Sequence, residues 1–155
     1  MRRVVALAFA AALVGCASAP APDAAGSARG ALAVRLLDAA LQEGEEAVRL
    51  YREIPELASA AGPEAQSRAR RKVLEGALAA ERAETLLRIR FAALGAPGVE
   101  PEPRLRLHFS LLATGADDLL EADRIDGAAL AQWLPELTGP IDAMIAEIRQ
   151  RGGAP

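Results

Sequence analysis

Apolar residues recur along most of the chain with the period of an amphipathic helix, in four segments separated by Gly and Pro. The first segment is predicted to run from Ser27, a good cap, to about Ile54, with Pro55 as its end. The second is predicted to begin at Pro63 and to end near Leu94, where Gly and Pro follow. Both segments are long enough to form the two arms of a helical hairpin.

The most apolar stripe of the second segment is predicted to face the interior. An antiparallel hairpin that turns between residues 55 and 63 would bring together residues whose numbers sum to about 117. Glu45 would then lie near Lys72, and Glu46 near Arg71, so that a basic cluster would meet an acidic one. The residues expected on the inward stripe are Val73, Leu74, Ala77, Leu78, Glu81, Thr85, Ile89 and Ala92.

The third segment carries two periodic patterns. Residues 104–113 alternate between apolar and polar in the manner of a strand. No second strand lies nearby to satisfy the backbone of such a strand, whereas Leu105, Phe109, Leu112 and Ala116 fit one helical face. A helix is therefore predicted here.

The fourth segment opens at Asp126, a predicted N-cap, and contains two prolines. Because proline removes a helical hydrogen bond, we expect this helix to be kinked or split between Pro135 and Pro140. Four amphipathic segments with short links predict an all-α fold, an antiparallel four-helix bundle over residues 29–151.

Composition and charge exclude some functions. The formal charge of −3 becomes more negative when Arg2 and Arg3 are removed, which argues against a nucleic-acid partner. His108 is the only histidine and has no partners at metal-ligand spacing. The acidic residues Asp117, Asp118, Glu121, Asp123 and Asp126 do not follow the calcium-loop pattern and suit a solvated helix end. We therefore expect that the protein is not an enzyme and that it holds no metal or cofactor. The residues that could bind a partner are Trp133, Arg68, Arg71 and Lys72.

The first residues have the organisation of a secretory signal. Two arginines precede the uncharged apolar run from Val4 to Val14, which is too short to span a hydrocarbon core of about 30 Å. It ends at Leu13-Val14-Gly15-Cys16, which resembles the lipobox of bacterial lipoproteins. The resemblance implies cleavage before Cys16, the only cysteine, and attachment of acyl chains to it. With Ala17 in the next position, it also implies the outer membrane of a diderm host.

The chain is thus predicted to have three parts: a signal peptide (1–15), a lipidated Cys16 with a flexible Ala/Pro tether (16–28), and the bundle (29–151). Two or three acyl chains would make membrane attachment permanent. The expected function is an envelope module at the periplasmic face that binds or scaffolds an unknown envelope protein. The alternatives are a bundle that binds an apolar small molecule in its core and one that forms a homo-oligomer through its apolar stripes.

Overall fold

A computed structural model describes residues 22–152, and within this range every regular element is a helix. The elements are α1 (Pro22–Ser59), α2 (Pro63–Leu94), α3 (Glu102–Glu121) and α4 (Gly127–Gly152). The predicted all-α fold is confirmed, and residues 104–113 are helical. None of the helices in residues 22–152 combines the length and apolar character needed to cross a membrane.

Interhelical ion pairs follow an antiparallel order from each helix to its neighbour. Arg82 and Lys72 of α2 reach Glu43 and Glu53 of α1, at 2.8 and 3.2 Å. Between α2 and α3, Arg106 lies 2.8 Å from Glu84. The ion pairs that join α1 and α4 are Arg52–Asp142 and Arg149–Glu45. The helices therefore form a bundle in which α2 and α4 flank α1, and α3 packs against α2 and, less closely, α4.

Helix α1 is longer at both ends than predicted. It begins at Pro22, so residues 22–28 of the segment expected to be a tether are helical, and Ser27 lies inside the helix instead of capping it. It also continues through Pro55 to Ser59. An internal proline costs about 3 kcal/mol, but Ile54 and Ala58 on either side are buried, and their packing offsets this cost.

The continuation of α1 makes the predicted hairpin register wrong. The turn lies at residues 60–62, and facing residues sum to about 125 instead of about 117, as the Lys72–Glu53 pair shows. This difference of eight residues is about two helical turns, or ~12 Å. Glu45 pairs with Arg149 of α4, and Glu46 pairs with Arg49 of its own helix.

Helix α4 is continuous from Gly127 to Gly152, so of the two expected outcomes, a kink or a split between Pro135 and Pro140, the split does not occur. Its buried stripe continues across both prolines, through Leu134, Thr138 and Ile141, which explains why the helix is not interrupted. The predicted cap is confirmed, because the carboxylate of Asp126 accepts hydrogen bonds from the amides of Ala128 (3.0 Å) and Ala129 (3.1 Å).

The core face of α2 consists mainly of small residues, and this corrects the predicted inward stripe. Of the predicted stripe, Val73 is buried, whereas Leu74, Leu78 and Ile89 are exposed. The face of α2 that contacts α1 is therefore the one that carries alanine and glycine, and not the predicted leucine stripe. Small side chains on this face let the axes of the two helices approach closely. The buried residues of α2 are Ala65, Ala69, Val73, Gly76, Ala79, Ala80, Ala83 and Leu87.

Two glycines show how closely the helices approach. A Cβ atom on Gly76 would lie 2.9 Å from the ring of Tyr51 in α1. A Cβ atom on Gly44 would lie 2.7 Å from Cε1 of Phe109 in α3, and closer still to Cζ. Phe109 is fully buried and cannot swing away. Gly44 therefore makes room for the ring of Phe109, which reaches α1 from α3.

We predict that Gly44→Ala destabilises the protein by about 1–3 kcal/mol, because overpacking outweighs the better helix propensity of alanine. Gly115→Ala is the matched control, since nothing lies within 4 Å of the position that its Cβ atom would occupy, and this change should be neutral or stabilise by up to about 1 kcal/mol. Urea unfolding followed by circular dichroism measures both. Equal effects of the two substitutions would contradict the packing.

A buried ion pair joins three helices at the end of the bundle where α1 begins. Arg90 of α2 donates two hydrogen bonds to Glu102 of α3, at 2.8 and 3.0 Å, and a third to the carbonyl oxygen of Ala33 in α1, at 2.6 Å. The two charged side chains are only 12% and 7% exposed. Removing one partner would leave the other charge buried without compensation.

We predict that Glu102→Gln lowers the free energy of unfolding by about 3 kcal/mol, because the Arg90 guanidinium stays buried without its counter-charge. The double change Arg90→Met, Glu102→Leu should recover at least half of that loss, since it leaves no buried charge. The same urea titrations provide the comparison. A double variant that is no more stable than Glu102→Gln would show that the stability of the bundle does not depend on pairing the two charges.

Candidate functional site

The predicted basic residues line one shallow cleft between α1 and α2. Arg68, Arg71 and Lys72 are brought together there, but they share the cleft with acidic residues of both helices. Lys72 lies 3.2 Å from Glu53 and 3.3 Å from Glu75, and hydrogen bonds to these two carboxylates raise its pKa. Arg68 pairs with Glu64 at 3.5 Å. The charges of this cleft are balanced, so it offers little attraction for an anionic partner.

The other residues singled out in the sequence lie apart from this cleft. Trp133 is 37% exposed on α4 and is not a core residue. His108 is half-buried on α3, and residues 22–152 contain no group of acidic, His or Cys side chains arranged to hold a metal. Cys16 lies outside the described residues. The structure therefore does not combine the predicted site residues into one centre.

A groove along the outer side of α2 and α3 has the features of a binding surface. Leu74 and Leu78, which line its α2 side, are 49% and 53% exposed, so two large apolar side chains that lie one helical turn apart face solvent. The volume of the groove is about 450 Å³. Its apolar lining consists of Leu74, Ala77, Leu78, Ala113, Ala116 and Leu120.

The polar lining of the groove contains acidic residues and no Lys or Arg. Glu84 is neutralised by Arg106, which lies at 2.8 Å. Glu81 and Asp117 are exposed, and neither forms an ion pair with any part of the chain that the structure describes. The groove lining therefore holds two carboxylates without an ion-pair partner in residues 22–152, those of Glu81 and Asp117, beside Leu74 and Leu78.

Cross-helix hydrogen bonds fix the spacing of the groove walls. At one end the Arg70 guanidinium of α2 donates to the carbonyl oxygens of Leu120 and Ala122, both at 2.5 Å, and of Asp123 at 3.1 Å. These carbonyl groups are at the C-terminal end of α3, which favours a cation. Towards the other end, the Arg106–Glu84 pair joins the same two helices. The groove is thus held open in a fixed shape.

A buried tyrosine fixes α3 beneath this surface. The hydroxyl of Tyr51 in α1 donates to the carbonyl oxygen of Leu112 at 2.6 Å. Burial raises the pKa of Tyr51, and the negative charge of Asp117 raises it further. The phenol therefore stays protonated and acts as a structural donor, without the properties of a catalytic base.

A second cleft lies where α1 extends past the end of α4, with a volume of about 610 Å³. It is open to solvent and is bordered by both acidic and basic side chains, among them Asp38 and Arg149. Its apolar lining consists of Val34, Leu37, Leu41, Val99, Pro101 and Ile148. This volume falls within the range of small-molecule sites.

Sequence reasoning missed the α2–α3 groove because it assigned Leu74 and Leu78 to the interior. A competing signal was present in the spacing of Ala65, Ala69 and Val73, continued by Gly76, Ala80, Ala83 and Leu87. These residues, most of them small, form one face of α2, which points away from Leu74 and Leu78. Had this face been predicted to pack against α1, Leu74 and Leu78 would have been predicted to lie on the outer side of α2.

Comparison of the chain with protein-family models, with curated proteins and with solved structures found no match. The function is therefore inferred from the residues and from the geometry of the groove.

We predict that Leu78→Ala changes the free energy of unfolding by no more than about 0.5 kcal/mol, because its side chain is already half in solvent. Leu87→Ala, on the same helix but fully buried, should cost about 2–5 kcal/mol. Thermal or urea unfolding of both variants compares the two faces of α2. A larger loss at Leu78 than at Leu87 would show that the helix is rotated.

Proposed function

We propose that this protein is a lipoprotein, held by acyl chains on Cys16 at the periplasmic face of the outer membrane, and that its bundle binds or scaffolds another envelope protein. The four-residue sequence at the end of the apolar run, Leu13-Val14-Gly15-Cys16, supports the anchor. The observation that carries the binding function is the pair of exposed leucines, Leu74 and Leu78, in a groove of fixed shape. Exposed apolar side chains gathered in a groove are typical of interaction sites.

The groove would remain accessible in the anchored protein. Six peptide links join Cys16 to Pro22, so this connection spans at most about 22 Å. The anchor would therefore hold the beginning of α1 near the bilayer. The groove runs along the side of the bundle, and its nearer end at Thr85 lies nine residues, or about 14 Å, before the α2 C-terminus at Leu94. A partner could reach it from the periplasm.

A second candidate function is the binding of an apolar small molecule. The cleft between α1 and the end of α4 favours it through its volume and its apolar lining, with Val34 and Val99 exposed at the surface. This site would lie at the surface and not in the core, because the cleft opens to solvent. Binding there would leave the α2–α3 groove free.

The anchor is tested by phase partition of the native protein in a cloud-point detergent. We expect the native protein to enter the detergent phase and mass spectrometry to find an acylated N-terminal Cys16. Cys16→Ser should abolish acylation and leave residues 1–15 attached. A native protein that stays in the aqueous phase and retains those residues would overturn the anchor.

The binding function is tested by a photo-cross-linking amino acid placed at Leu78 in intact cells, with the same amino acid at Gln150 as an exposed control. We expect a covalent adduct of defined mass at position 78, absent at position 150, that is lost when Leu74 is changed to Gln. Adducts of equal yield at both positions, or none at position 78, would reject a partner at this groove.

A further inference from the structure

We infer that the occupant of the α2–α3 groove is an amphipathic helix of a partner protein, with an apolar ridge flanked by Lys or Arg. This inference rests on the proposed binding function and adds the chemical class of the partner. The structure supports it through the shape of the groove, its apolar floor and the sign of its charge.

The shape of the groove fits a third helix. Two neighbouring antiparallel helices leave between them a channel in which the side chains of another helix can pack. The lining extends from Leu74 to Thr85 on α2 and from Ser110 to Leu120 on α3. Each range covers about 16 Å, which corresponds to an occupant helix of about three turns.

The floor of the groove favours close contact with apolar side chains. Ala77 and Ala113 contribute little bulk at its centre, while Leu74, Leu78 and Leu120 supply apolar surface around them. Burying the exposed parts of Leu74 and Leu78 would remove apolar area from water, which is the main driving force for such docking. Apolar residues at positions i, i+3, i+4 and i+7 of the occupant would meet this floor.

The negative charge of the groove lining favours basic side chains on both sides of the occupant's apolar ridge. Glu81 stands on the α2 side and Asp117 on the α3 side, so basic residues on either side of an apolar ridge would each face a carboxylate. Such complementarity increases the association rate and rejects partners of the wrong sign.

The same charge argues against other occupants. A second copy that used this groove symmetrically would bring one acid-lined surface against an identical one. Anionic phospholipid and nucleic acid would meet Glu81 and Asp117 with like charge. A basic amphipathic helix is the occupant for which both the floor and the rim are complementary.

The test uses the full acylated protein in nanodiscs of zwitterionic phosphatidylcholine, with empty discs as the blank. The probes are two fluorescent amphipathic peptides of about 14 residues, one of Leu and Lys and one of Leu and Glu in the same order. Fluorescence anisotropy should show that the Lys peptide binds at least about tenfold more tightly than the Glu peptide, with an affinity that falls as salt rises.

Two pairs of variants locate the site. Leu74→Gln with Leu78→Gln should weaken binding of the Lys peptide about tenfold or more, whereas Leu107→Gln, at an exposed leucine outside the groove lining, should not. Glu81→Gln with Asp117→Asn should weaken it about three- to tenfold and reduce the salt dependence. Glu136→Gln, at an exposed acid on α4, is the charge control and should have no effect.

Equal binding of the two peptides, or equal losses in groove and control variants, would overturn the inference. A position-78 adduct formed in cells with a segment that is not a basic helix would also overturn it while leaving the binding function in place, whereas an adduct of twice the chain mass, a second copy of this chain, would overturn both. The absence of any adduct at position 78 would instead reject the binding function itself.

Discussion

The close packing of α1 against α2 through small side chains is the constraint on which the rest of the structure depends. Alanine and glycine on α2 let it lie close to α1, where Tyr51 packs against Gly76, and Gly44 on α1 makes room for the ring of Phe109 from α3. In a closely packed core of this kind α2 buries mainly small side chains, with Val73 and Leu87 as the larger exceptions. Leu74 and Leu78 consequently lie on the outside.

This packing connects stability with the proposed function. The charged groups that join the helices, such as Arg90 with Glu102 and Arg70 with the end of α3, hold the bundle without using the exposed leucines. The leucines contribute little to the core and are free to bind. The groove can therefore serve a partner without any rearrangement of the bundle, since cross-helix bonds already fix the distance between its walls.

Much of the fold could be predicted from the sequence, and the errors have identifiable physical causes. Helical periodicity and the Asp126 cap gave the number and type of elements correctly, since these are local properties. Pro55 misled the prediction of the end of α1, because the packing of its neighbours outweighs the lost hydrogen bond, and the same balance keeps α4 unsplit at Pro135 and Pro140. The hairpin register depended on Pro55 and was wrong for the same reason.

The candidate site could not be predicted, because it depends on which of two apolar faces of α2 is turned inward. Periodicity shows that a helix has apolar faces, but the choice between a leucine face and an alanine face depends on the shape of the neighbouring helix. The N-terminal pattern Leu13-Val14-Gly15-Cys16, by contrast, is short and linear, so the proposal of a lipid anchor needs no tertiary structure. The sequence thus supports a proposal for how the protein is held more directly than a proposal for what it binds.

The orientation of α2 is tested most directly by thiol accessibility in the full-length protein, in which Cys16, the only native cysteine, is proposed to carry the lipid. Cysteines introduced singly at Leu78 and at Ala80 are treated with a bulky maleimide. If the small-residue face of α2 is turned inward, the thiol at position 78 reacts at the rate of an exposed thiol, and the thiol at position 80 reacts at least about a hundredfold more slowly until urea unfolds the bundle. Equal rates in the folded protein, or a protected position 78, would contradict this orientation.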